Sequence, residues 1–252
     1  MDSSLVQAYL YCALDIGKLL QESGAEISRV EDTVSRIMKE GAGVPRVEVF
    51  SITSNITATA YISGFETVTQ MRRIRSVRTN MKRIEELNQL SRDIVSLHLE
   101  PKEIYRRIKI IRAEPAVNAR LLPLGYAVIS GAFACFFGGD LSDFAASALI
   151  GFLLCFLERG IGRLTDNLLM TARIWSVAGG FLAHLSVLAG LGHHADMISI
   201  GNIMLFIPGI AFTNSIRDMF IGDTLSGLVR MLESILLAVI IAMGFTLAGR
   251  LI

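Results

Sequence analysis

Between Leu121 and Gly139 the chain carries no charged side chain, and the remainder up to Ile252 is nearly as poor in charge. A helix needs about 20 mostly apolar residues to cross roughly 30 Å of hydrocarbon. Four further runs meet or approach that length, so five spans are expected at about 121–139, 142–158, 174–194, 197–216 and 231–249. The second is the shortest, because Phe144–Leu157 is bracketed by Asp143 and Glu158. It reaches spanning length if Asp143 lies at the interface.

Charge divides the 252 residues unevenly. Residues 1–120 hold 18 Lys/Arg and 15 Asp/Glu, whereas residues 121–252 hold 6 and 8; glycines run the other way, 5 and 17. Mean hydropathy is +0.52, too apolar for an ordinary soluble protein. The expected fold class is therefore an α-helical membrane protein, with an α+β domain over residues 1–118 followed by a membrane domain over 119–252. A net charge of +1 gives no polyelectrolyte signal for nucleic acid. Cys12, Cys135 and Cys155 have no metal-binding or disulfide-framework spacing. The N-terminus MDSSLVQAYLYCALD lacks a basic leader segment, so no cleavable signal peptide is expected.

In the first part, Leu5, Tyr9, Cys12, Ile16 and Leu19 step at helical spacing up to Gly24, and Ile27, Val30, Val34 and Ile37 repeat the pattern up to Gly41–Gly43. The period then changes to two. VEVFSI and NITATAYI read as strands turning at Ser54-Asn55, and ETVTQMRR as a third strand after Ser63-Gly64. Ile84 to Leu97 and Ile104 to Ile111 return to helical spacing, with Pro101 opening the second of these helices. Six basic residues crowd Met71 to Arg83; they suit either an anionic surface or a solvated strand end. Glu26, Arg29, Glu31 and Asp32 read as a solvated helix face.

The loops predict orientation. GGDLSD and GHHAD contain no Lys or Arg, whereas the 158–173 loop carries Arg159, Arg163 and Arg173 beside Asp166, and the segment after Ile216 carries Arg217 and Arg230. Positive charge on one side places the N-terminal domain in the cytosol, with Arg250 as one exception. Ala127/Gly131, Ser147/Gly151, Ser176/Gly180 and Ser186/Gly190 repeat at a four-residue spacing that lets membrane helices approach closely.

One apolar run is interrupted. NIMLFIPGIAFTNSIRD places Pro208-Gly209 in its middle and Thr213, Asn214, Arg217 and Asp218 after it. Freed carbonyls in hydrocarbon cost several kcal/mol unless something polar meets them. Transporters place solute sites at such breaks. Pro208, Gly209, Thr213, Asn214, Arg217 and Asp218 are the substrate-binding candidates, with Asp218 able to hold Arg217 in an empty site. The other reading is a proline kink with an interfacial Arg-Asp cap. His184 could relay a proton, recognise substrate or pack as a neutral hydrogen-bonded residue. Glu233 could couple transport or pair with Arg230, and Asp223 is a further coupling or gating candidate.

Phe206 to Ala238 resembles the PGxxxTNxxRDxxxGDxxSGxxR…E signature of the threonine/serine exporter family. SGAEISRVEDTVSRI (23–37) and VEVFSITSNITAT (47–59) resemble motifs of that family's N-terminal domain. The resemblance implies export of threonine or serine, with a succinate-type dicarboxylate as the alternative. It also implies a second, smaller membrane subunit, since some members split their two halves and this chain ends after its fifth expected span. Oligomerisation is expected with it. No P-loop, HExxH or GxSxG occurs, so neither a cofactor nor an enzyme is expected. A rival of another class is a membrane-anchored sensor or assembly protein, whose soluble domain alone would bind the effector.

Overall fold

The computed structural model describes residues 3–62, 66–115, 118, 120–162, 164–165 and 167–250. The expected turn at Ser63-Gly64 and the loop residues Arg163 and Asp166 lie outside the described residues. The chain divides into two compact units. One comprises Met1–Ala116 with Thr213–Met231, the other Val117–Phe212 with Leu232–Ile252.

In the first unit, α1 (Ser3–Glu22) and α2 (Ile27–Arg36) are followed by a π-helical turn, Ile37–Gly41. Three strands come next, β1 (Arg46–Ile52), β2 (Asn55–Tyr61) and β3 (Thr67–Arg73), then α3 (Met81–Leu97) and α4 (Pro101–Ala113). The strands form one antiparallel sheet in sequential order. Alternation sends Ile56, Ala58 and Ala60 of β2 into the core, as the two-residue period predicts. The hairpin turns one residue earlier than expected. Ile52 pairs with Asn55, so Thr53-Ser54 forms the loop and Asn55 already belongs to the strand.

Helix α1 lies close against β2. A Cβ on Gly17 would stand 2.8 Å from both Ile56 Cδ1 and Val34 Cγ2. Leu10, Leu14, Leu20, Ile37, Leu87, Ile94 and Ile104 complete a continuous apolar core. Asn80 caps α3 by accepting the Arg83 N–H, and Gly24, at φ +87°, ends α1 as a left-handed residue. Arg72, Lys82 and Arg83 of the basic stretch are engaged, by Asp15, by Glu86 and Glu114, and by the Arg112 carbonyl.

The second unit contains α5 (Leu122–Phe136), α6 (Leu141–Ile161), α7 (Leu168–Leu188) and α8 (Ala195–Ile203). The first part of α9 (Gly209–Ile221) and the larger part of α10 (Thr224–Gly249) complete it. Helices α6, α7 and α10 are long and apolar enough to cross a membrane. Helix α5 is apolar but has 15 residues, about 22 Å at 1.5 Å per residue. The run expected as a fourth span is two short helices separated by Met204–Pro208.

Two boundaries differ from expectation because hydropathy marks where lipid could begin, not where a helix begins. Asn167 accepts the N–H groups of Leu169 and Met170 and starts α7 at Leu168, so Arg173 is helical. The expected loop after Ile216 shrinks to Gly222-Asp223, with Gly222 at φ +109°. Arg217 and Arg230 are both helical as a result.

Small residues make the close contacts of this unit. A Cβ on Gly151 would lie 2.8 Å from the Tyr126 carbonyl oxygen, and one on Gly180 would lie 2.9 Å from Phe245 Cα. Gly190 differs from the expected packing face. It sits past the end of α7 at φ +74° with open space where a Cβ would be, and so acts as a helix stop.

Candidate functional site

The candidate site lies in the first unit, where the start of α2 meets the second part of α9 and the first turns of α10. Gly24 turns the chain so that the Gly24 and Ala25 carbonyls, the Glu26 side chain and the Ile27 N–H are presented together. A helix leaves its first N–H groups without intrahelical partners, and α2 has no capping side chain of its own at Glu26. Asp218 takes that role from 191 positions away, with its Oδ1 3.4 Å from the Ile27 nitrogen. This weak bond places a carboxylate at the positive end of the helix dipole.

Asp218 is fully buried, and its Oδ2 accepts from Arg230 Nη1 at 3.3 Å. The same Nη1 donates to the Ala25 carbonyl at 3.2 Å. Asn214 Nδ2 donates to the Gly24 carbonyl at 3.2 Å. One turn along α9, Arg217 Nη1 lies 2.8 Å from Glu26 Oε1, with Arg29 Nη2 at 3.8 Å from the same oxygen. The Arg217 side chain is 56% exposed, but that of Glu26 is only 11% exposed. A buried carboxylate thus holds a cation that otherwise faces outward.

Gly227 allows α10 to start close to α9, since a Cβ there would meet the Ser215 carbonyl oxygen at 2.6 Å. Between the helices, the Asp223 N–H donates to the Asp218 carbonyl at 2.9 Å. Behind α2, Glu31 Oε1 accepts the Ser51 N–H at 2.7 Å, while Ser51 Oγ donates to Gln21 Oε1. Burial raises the Glu31 pKa; the Ser51 hydrogen bond opposes this, and the charges of Asp223 and Asp32 add to it.

These positions change two expectations. Arg217 is held by Glu26, while Asp218 is held by Arg230 and the Ile27 N–H. Glu26 belongs to the cluster instead of a solvated face. Sequence reading missed Glu26 because its partner is remote, and missed the Gly24 and Ala25 carbonyls because backbone acceptors have no residue signature. The available signal was that SGAEI and TNxxRD both carried the resemblance.

The other candidates fall elsewhere. Pro208 and Gly209 belong to the second unit, where the Pro208 carbonyl accepts the Phe212 N–H at 2.9 Å. Phe206, inside the break, stacks on Trp175 and meets Tyr126 edge-on. Just before the break, buried Asn202 accepts from Ser130 Oγ at 2.8 Å and donates to Ser147 Oγ and the Ile198 carbonyl. This polar knot joins α5, α6 and α8, and the sequence reading did not find it. A Cβ on Gly201 would stand 2.5 Å from the Ser130 carbonyl oxygen, so α8 approaches α5 through a residue with no side chain.

His184 Nδ1 lies 2.9 Å from the Gly180 carbonyl oxygen on its own helix, and its ring faces Gly249. Thr213 is exposed at the start of the first unit's share of α9, and Glu233 is exposed in the second unit's share of α10.

Three long apolar helices, a further apolar helix and an interrupted one define an α-helical, multi-pass membrane protein. The ThrE family model, described as "Putative threonine/serine exporter", matches residues 11–252. The chain belongs to that family, whose members are membrane transporters of the exporter type. Comparison with curated proteins and with solved structures gives no match.

Proposed function

We propose that the chain is a subunit of a secondary-active exporter in the cell membrane that moves threonine or serine outward, with Arg217 receiving the substrate carboxylate. The observation that carries this reading is the pair formed by Arg217 and Glu26. A largely exposed guanidinium already holds a carboxylate at 2.8 Å, and the carboxylate of an amino acid is chemically equivalent to it. Substrate binding then exchanges one carboxylate for another at an arginine that is always charged.

Asn214 and Asp223 supply acceptors for an ammonium group in this reading, Asp218 holds Arg230 and the head of α2 beside them, and Thr213 supplies a hydroxyl. Pro208 and Gly209 mark a break whose carbonyls and half-helix ends are of the kind that transporters use. Glu233 and His184 are the coupling or gating candidates. Five membrane passes, a cytosolic domain formed by residues 1–118 and a second, smaller membrane subunit of the same family complete the proposal. The loops lacking Lys and Arg, GGDLSD and GHHAD, support this orientation.

The test is efflux from proteoliposomes containing the chain and the smaller subunit, loaded with threonine. Arg217→Ala should abolish efflux, and Arg217→Lys should keep part of it. Wild-type efflux by a folded Arg217→Ala protein would remove Arg217 from the mechanism.

A further inference from the structure

At one end of the second unit, the α5–α6 connection meets the α7–α8 connection through four side chains that the exporter reading does not use. Asp140 and Asp143 form a reciprocal cap at the start of α6. The Asp143 N–H donates to Asp140 Oδ1 at 2.9 Å, and the Asp140 N–H donates to Asp143 Oδ2 at 3.0 Å. The next connection closes onto the same carboxylates. Asp143 Oδ1 accepts the N–H groups of His193 and His194 at 2.7 and 2.9 Å. His194 Nδ1 lies 2.7 Å from Asp143 Oδ2, and His193 Nδ1 lies 2.5 Å from Asp140 Oδ2.

Gly192 makes this closure possible, because a Cβ there would stand 2.6 Å from Ile198 Cδ1 and 3.2 Å from Asp143 Oδ1. Asp143 is fully buried, whereas the two imidazoles are more than half exposed. Ligand atoms of Asp140, Asp143 and His194 all lie within 4.8 Å of one another.

We propose that Asp140, Asp143 and His194 form a binding site for a first-row divalent cation of the zinc type. The donor set is mixed, two carboxylates and one imidazole. Imidazole suits zinc, copper and nickel, whereas magnesium and calcium favour sites made wholly of oxygen. Zinc bonds of about 2.0–2.2 Å place neighbouring ligand atoms roughly 3.4 Å apart in a tetrahedral site, so the widest separation must close by up to about 1.4 Å while the His194–Asp143 pair opens from its 2.7 Å.

The backbone needed for that contraction is already fixed, because Asp143 Oδ1 keeps two N–H donors while its other oxygen turns to the ion. The cation takes the place of the proton between His194 Nδ1 and Asp143 Oδ2, and that proton passes to solvent beside the half-exposed imidazole. His193 then orients Asp140 as an outer-shell partner, an arrangement that metal sites use to hold a ligand's direction. Loaded in this way, the site joins two connections that hydrogen bonds alone link in the free protein.

The test uses the full chain in detergent, purified without a polyhistidine tag and stripped with a chelator. Zinc chloride is titrated by calorimetry and the melting temperature is followed. One saturable equivalent with a rise in melting temperature is expected, and magnesium chloride should give neither. His194→Ala and Asp140→Asn, which leave the buried Asp143 cap in place, should each weaken zinc binding about tenfold or more. His98→Ala, in the other unit, should leave binding unchanged. Absence of saturable zinc binding in the unaltered chain, or unweakened affinity in both cluster variants, would overturn the assignment.

Discussion

Asp218 caps a helix to which it does not belong: its Oδ1 faces the Ile27 N–H at the start of α2, while its Oδ2 faces Arg230. Both members of that ion pair are buried, with side-chain exposures of 0% and 9%. Removing one partner from such a pair strands the other charge and costs about 3–5 kcal/mol. Asp218→Ala should therefore destabilise the protein strongly. Asp218→Leu combined with Arg230→Met should recover part of the loss but not all, since the Ile27 N–H and the Ala25 carbonyl lose these partners. Melting temperatures of the three proteins in one detergent check this; equal losses in the single and double variants would count against a paired charge.

Glu26 and the substrate compete for Arg217 in the exporter reading. Glu26→Gln removes the internal competitor while keeping the shape of the side chain, so half-saturating threonine should fall several-fold with maximal efflux retained. Efflux measured across internal threonine concentrations separates the two parameters. A fall in maximal rate at unchanged half-saturation would instead make Glu26 a positioning residue.

Glu31 gives the first unit a pH signature. Burial raises its pKa above the ordinary glutamate value of about 4.3, so folding favours the protonated form. Stability from this group is fully present below that value. It is lost as pH climbs towards the raised one and then levels off. Glu31→Gln should remain neutral through that window, so its melting temperature should gain on the unaltered protein as pH rises. A constant difference across the acidic range would show that Glu31 takes up no proton on folding.

In the second unit, Gly244 packs directly against Ser176, where a Cβ would collide with the Ser176 hydroxyl and lie 2.7 Å from its Cβ. Gly244→Ala should cost about 1–3 kcal/mol by overpacking. Ser176→Gly in the same chain should return part of that loss, limited by the Ser176 carbonyl carbon at 3.2 Å. Thermal unfolding of the pair measures the coupling, and strictly additive losses would argue against the contact.

Thiol reactivity should follow burial. Cys12 is buried and its pKa is pushed up to about 11, chiefly by that burial, so roughly one thiol in a thousand is ionised at pH 8. Maleimide should spare Cys12 in the folded chain and modify it after denaturation, as peptide mass mapping would show. Rapid labelling of native Cys12 would contradict the packing of α1 against the start of α4.

The first unit's helices and strands were legible because local period and turn residues determine them: Ile56, Ala58 and Ala60 alternate, and Gly24 and Pro101 mark helix limits. The hairpin was displaced by one residue because Ser54 and Asn55 are both good turn formers, and only pairing across the strands selects between registers. The starts of α7 and α10 were misplaced for a different reason. Arg173, Arg217 and Arg230 end the apolar runs, but a charged residue does not end a helix. At the candidate site, Asn214, Arg217 and Asp218 were legible as an unusual polar set beside a break. Their partners were not, because a carboxylate at Glu26 or a carbonyl at Ala25 becomes a partner only through contacts spanning 191 and 205 positions.

The interleaving of the first unit has a practical side. A gene shortened to encode residues 1–118 would omit Thr213–Met231, and with it the groups that meet the Gly24 and Ala25 carbonyls, the Glu26 carboxylate and the Ile27 amide. Such a fragment would open a raw seam at the head of α2. Anyone dissecting this protein should splice Thr213–Met231 onto the amino-terminal piece instead of cutting where the charge composition changes.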